Sequence, residues 1–162
     1  MAVVRFAQHA REIVRQAEKE AHEARSPLIE AEHLLLALTG EHGIEARDIL
    51  ASAGLDRDGV RVALDREFRQ SLAAAGVTLP DAGLPAASRD PQRRARFATS
   101  GKLVMERAVK AAAGQRMIRP GHLLLGVLAA QVGTVPRALA LADVDQGTLT
   151  TQVRQVLEQA QP

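Results

Sequence analysis

Two stretches decide the fold of this chain: Glu32-His33-Leu34-Leu35-Leu36-Ala37-Leu38 and Gly121-His122-Leu123-Leu124-Leu125-Gly126-Val127. Each is apolar nearly all round after its His, the pattern of a helix buried at the centre of its bundle. They lie 89 residues apart, and their flanks repeat too. Upstream, Phe6, Ala10, Ile13, Val14, Ala17 and Ala21 are spaced 4, 3, 1, 3 and 4, and Phe97, Gly101, Val104, Met105, Ala108 and Ala112 have the same spacing 91 residues later. Both sets place one apolar face on every 3.6-residue turn. Downstream, Ala53-Gly54-Leu55-Asp56 matches Ala142-Asp143-Val144-Asp145. Gly54 suits the left-handed stop of a helix, Asp143 reaches that conformation at modest cost, and Asp56 and Asp145 stand where an N-cap begins the next helix.

Four landmarks in one order predict a tandem repeat of four helices each, over 7–24, 31–39, 43–53 and 57–70, then 98–113, 120–130, 134–141 and 146–159. No segment alternates with period two, so no strands are expected. The expected organisation is a single all-α module: repeat one over 1–70, a linker punctuated by Pro and Gly over 71–96, and repeat two over 97–162. Each half is small for independent stability, so the two are expected to share a core.

Composition narrows the function. The chain has 162 residues, 46% hydrophobic and 25% charged, with three Phe and no Trp, Tyr or Cys. An aromatic stacking platform for single strands is disfavoured, and thiolate metal sites, disulfides and Cys nucleophiles are excluded. No apolar run reaches membrane-spanning length and the start lacks a signal-peptide core, which leads us to expect a cytoplasmic protein. The net charge is only +2. Residues 1–69 carry ten basic and thirteen acidic side chains and residues 97–162 seven and four, so the second half is the basic one. Apart from Arg93-Arg94-Ala95-Arg96, read as a solvated linker segment, no basic block stands out.

Phe6 with Ala10-Arg11, Glu32-His33 before three Leu, Leu55-Asp56, and their counterparts Phe97, His122-Leu123-Leu124-Leu125 and Val144-Asp145 resemble the Clp repeat. The doubled repeat is similar to the N-terminal domain of Clp unfoldases, notably the ClpC type. This resemblance implies an eight-helix domain that binds substrate proteins, degradation signals and adaptors for a Clp ATPase and its ClpP peptidase. It also implies that Phe6 and Phe97 border a groove used by adaptors and by some cyclic peptide antibiotics. In ClpC relatives the Glu of a Gly-Thr-Glu-His motif helps to bind phosphorylated arginine. Here the first copy reads Glu30-Ala31-Glu32-His33 and the second Arg119-Pro120-Gly121-His122. Glu32 is retained but the Thr hydroxyl is lost and Glu30 adds a charge that repels phosphate; in the second copy Gly121 replaces the Glu. Phosphoarginine binding is therefore expected to be weak at the first site and absent at the second.

The candidate binding residues are Phe6, Glu30, Glu32, Phe97 and Arg119, in a groove expected where the first helices of the two repeats approach. Glu32 should favour hydrophobic or basic segments and Arg119 should bias the second half the opposite way. The plainer readings are that Glu32 is a carboxylate favoured by a helix N-terminus, that His33 and His122 are structural, lacking a second His at i+4 for a metal, and that both Phe are core anchors. No catalytic or cofactor motif is present: at Gly101-Lys102 the phosphate-loop pattern fails, with Arg96 in place of its first Gly and Leu103 after the Lys. A protein-binding module without a cofactor is the expectation. A decoy that sequesters Clp-directed cyclic peptides is one alternative. A small DNA-binding regulator is the other, though it lacks a polar basic recognition helix.

Overall fold

A computed structural model describes residues 5–77 and 94–160. In chain order, repeat one comprises β1 (Arg5–Phe6), α1 (Gln8–Glu23), β2 (Leu28–Ile29), α2 (Ala31–Leu38), a 3-10 turn (Glu41–Gly43), α3 (Glu45–Ser52) and α4 (Arg57–Ala74). Repeat two comprises β3 (Arg96–Phe97), α5 (Thr99–Ala111), β4 (Met117–Ile118), α6 (Pro120–Leu128), α7 (Thr134–Leu141) and α8 (Gln146–Gln159). All eight expected helices are present. The fourth runs past its expected end at 70, through Ala74. Most of the expected linker, 78–93, lies outside the described residues.

Local signals act where the sequence places them. Gly54 at φ 77° and Asp143 at φ 56° turn the chain in the left-handed region. Asp56 then accepts from the Gly59 N–H at 2.8 Å, and Asp145 from the Gly147 N–H at 3.1 Å. Each carboxylate satisfies an amide that the first helical turn leaves without an intrahelical partner.

The expectation of no strands is corrected. Among the described residues, four two-residue strands form two parallel pairs, Arg5 and Phe6 beside Met117 and Ile118, and Leu28 and Ile29 beside Arg96 and Phe97. A two-residue strand is too short to show alternation, and its partner lies in the other repeat. Each lead-in strand thus docks on the turn between the first two helices of the opposite repeat. The path continues into the helix after it: the Ala98 N–H donates to the Ile29 carbonyl at 2.9 Å and the Ala7 N–H to the Ile118 carbonyl at 2.9 Å.

α1 packs chiefly on α2 and α5 on α6, while α2 and α6 meet at the centre. The fourth helices reach across, α4 packing on α7 and α8 on α3. One continuous cluster of buried side chains results, from Ile13, Leu34, Leu35 and Leu50 to Leu123, Leu124, Leu139 and Val153. The shared core follows from this exchange. Close approach sets residue size at Gly101, where an added Cβ would lie 2.4 Å from the Ile29 carbonyl oxygen, far inside contact distance.

Candidate functional site

The two short strand pairs divide the candidate residues into two sets. On the first seam Phe97 pairs with Ile29, and Glu30 and Glu32 follow at the start of α2. On the second, Phe6 pairs with Ile118 and Arg119 follows at the start of α6. The structure therefore brings Phe97 together with the two carboxylates and Phe6 together with Arg119, each set on a seam between a lead-in strand and the opposite repeat. The expected meeting of the first helices is corrected: their main neighbours are α2 and α6, and the residues just before them are what cross over.

Both Phe are half-buried and packed on the core, so the anchor reading accounts for part of each ring. The outward-facing positions of the same strand pairs hold two exposed apolar residues that the sequence reading passed over, Leu28 at 39% exposure opposite Arg96 and Met117 at 47% opposite Arg5. They are 89 residues apart, so the repeat arithmetic itself held the signal.

His33 and His122 are buried and do the same work in both repeats. The Glu30 backbone N–H donates to His33 Nδ1 at 2.9 Å, and the Arg119 N–H donates to His122 Nδ1 at 2.9 Å. Accepting at Nδ1 leaves the hydrogen of a neutral ring on Nε2. Burial holds both imidazoles below their ordinary 6.5 and so favours the neutral form. These rings fasten the residue before each helix to its first turn, and the structural reading holds.

Glu32 is in a different position. Burial first, then the hydrogen bond and charge of neighbouring Glu30 and the charge of Glu67, raise its carboxyl from 4.5 to about 7. Among the described residues no cationic side chain is ion-paired with Glu30 or Glu32. Ser100 of α5 accepts from the Ala31 N–H at 3.0 Å, so a hydroxyl from repeat two caps the helix that carries Glu32. Its partner across 69 residues made it invisible to local reading.

The second seam is closed by comparison. Arg119 lies 3.2 Å from Glu45 of α3, so its charge already has a partner from repeat one. Gly121 is buried, and a Cβ there would lie 2.8 Å from the Leu157 side chain and 3.3 Å from Glu45 Oε1. A glutamate at 121 would have to displace α8 side chains, so the two repeats do not offer equivalent carboxylates. Among the described residues no cluster of three potential metal ligands occurs, and no helix is long and apolar enough to cross a membrane.

Comparison with known proteins agrees with this geometry. The family model for the Clp repeat (R) N-terminal domain matches residues 5–113. Chloroplastic chaperone protein ClpC1 of Oryza sativa subsp. japonica is 26% identical over 151 residues, covering 92% of this chain but 15% of the relative. The chloroplastic ATP-binding subunit ClpA homolog of Brassica napus matches over the same shares. The chain thus spans about 15% of the length of these curated relatives. The N-terminal domain of ClpD from Arabidopsis thaliana superposes with a TM-score of 0.66 at 22% identity, over 95% of each chain. That of Hsp104 from Candida albicans gives 0.63 at 16% identity, over 94% of this chain and 91% of that one. With the crossed repeats, the doubled Leu-rich helices and the family match in agreement, this chain belongs to the Clp repeat N-terminal domain family.

Proposed function

We propose that this chain is a protein-binding module that receives apolar, basic segments of substrate or adaptor proteins on the seam formed by Leu28, Phe97, Glu30 and Glu32, in service of a Clp unfoldase. The observation that carries the reading is the pair of carboxylates without a cationic partner among the described residues, at the start of the helix that directly follows the strand paired with Arg96 and Phe97. An incoming Lys or Arg removes the repulsion between Glu30 and Glu32, and its apolar neighbours cover Leu28 and the open face of Phe97. The seam of Phe6, Met117 and Arg119 takes apolar side chains with less charge preference, because Glu45 neutralises Arg119. The module acts by binding, in the cytoplasm, and passes what it holds to an ATPase ring. Phosphoarginine is a poor ligand in this reading, since its phosphate would face Glu30 and the helix N-terminus is already capped by Ser100.

The test is calorimetric titration with a peptide carrying Arg between two Leu. Wild type should bind it, and Glu32→Gln and Phe97→Ala should each weaken binding about tenfold, the scale of one charge-assisted contact or one buried apolar group. Unchanged affinity in both variants would overturn the assignment of this seam.

A further inference from the structure

The two repeats are not equally filled. In repeat one Glu20 of α1 is almost fully buried, where Gln16 donates to it at 2.9 Å and Arg57 of α4 lies 2.6 Å away. Its charge acts directly on His33. By the repeat offsets, the counterparts of Gln16, Glu20, His33 and Arg57 are Arg107, Ala111, His122 and Gln146. The carboxylate and its Arg are thus absent from repeat two. In their place lies an open groove of about 910 Å³ whose lining includes all four counterparts. Its apolar floor includes Leu125, Leu128 and Leu157, and Lys110 and Arg154 join Arg107 against the single acid Glu158.

His122 belongs to the inner wall of this groove and is fully buried. Its Nδ1 accepts from Arg119, so its Nε2 carries the hydrogen, and that N–H has no acceptor. A buried donor left unmatched costs free energy that an incoming acceptor would recover. Gln146 does not supply the acceptor: its Nε2 donates to the Leu128 and Ala130 carbonyls at 3.2 and 3.0 Å, and His122 Nε2 stays without a partner.

Resting on the reading of the chain as a protein-binding module, we infer that this groove binds an acidic peptide segment, one Glu side chain of which occupies the place that Glu20 fills in repeat one. The carboxylate accepts from His122 Nε2, Arg107, Lys110 and Arg154 supply the charge, and neighbouring apolar residues of the segment cover Leu125 and Leu157. A glutamate side chain is the occupant because repeat one shows that residue filling the equivalent space.

The experiment titrates the whole chain with an acetylated, amidated hexapeptide carrying one Glu between two Leu, with its Gln counterpart, and with the Gln peptide bearing a free C-terminal carboxylate. The ring nitrogens of His122 are followed by NMR. The Glu peptide should bind about tenfold or more tightly than the blocked Gln peptide, with a shift confined to the His122 Nε2–H. Ala111→Glu, at an exposed helical position, should produce that shift without peptide and abolish binding, while helicity by circular dichroism stays unchanged. Equal affinity for the Glu and blocked Gln peptides, or undiminished binding to Ala111→Glu, would overturn the inference. Binding by the free-carboxylate peptide alone would overturn the choice of a side chain as occupant. If these peptides fail while the Arg peptide still binds at the Phe97 seam, only the groove is lost; if both kinds fail, the module reading falls with it.

Discussion

Two glutamates in repeat one show how surroundings decide what a carboxylate does. Burial pushes Glu20 up, but hydrogen bonds from Arg57 and Gln16 and the charges of Arg57 and Arg61 outweigh it and hold the group below its ordinary value. Glu32 meets burial with another acid for company and is raised to about 7. The folded state therefore keeps the Glu32 proton to higher pH than the unfolded chain does. Its contribution to stability is complete below pH 4.5 and is lost as pH rises through about 7. Glu32→Gln should be more stable than wild type at pH 8, by on the order of 2 kcal/mol, and close to it at pH 4.5. Urea unfolding of both proteins across that range checks this. His33 and His122, depressed by burial, make the opposite contribution, present above 6.5 and lost as pH falls, but they are common to both proteins and cancel in the difference. A variant curve parallel to wild type would show that Glu32 titrates normally.

At the scale of elements, helix starts explain why some boundaries were readable and others were not. The expected spans 134–141 and 146–159 coincide with α7 and α8. For α8 the cap is local: Asp145 binds Gly147 two residues on and Thr148 three on. α7 begins differently, from Gly133 at φ 116°, a conformation that side chains rarely adopt. The equivalent residue of repeat one is Ile44, at φ 48°, so the turn before the third helix is left-handed in both copies and only one uses glycine. Gly133→Ala should therefore destabilise the protein by about 1–3 kcal/mol. Gly147→Ala, in the first turn of α8 where a Cβ meets Asp145 Oδ1 at an ordinary 3.4 Å, should be neutral or gain up to about 1 kcal/mol. Thermal melts of the two variants separate backbone strain from helix propensity. Equal shifts would mean that the Gly133 conformation carries no strain for alanine.

For the whole molecule, exchange between repeats is the organising fact. Strands, fourth helices and the ion pair of Arg137 with Glu67, at 2.9 Å, all cross from one repeat to the other. Neither half keeps its Leu-rich helix covered alone. Residues 1–77 and 78–162 produced separately should each show little helix by circular dichroism, and mixing them should restore it together with a cooperative melt. Two halves that fold and melt independently would contradict the single core.

The sequence by itself determined the eight helices, their order, the Asp caps of α4 and α8 and the duplication, because each rests on contacts within a few residues: a stripe repeated every turn, an Asp before an amide, a Gly at a left-handed stop. It also marked Phe6, Glu30, Glu32, Phe97 and Arg119 as residues to watch. Only the tertiary structure decided how they group, since the strand pairs join positions 68 to 112 residues apart and leave no local pattern. The same holds for Ser100 on the start of α2, Glu45 against Arg119, and the space opened where Ala111 stands in place of a glutamate. Those depend on which surfaces meet when one repeat closes on the other, and a side chain's charge partner and burial exist only after that closure.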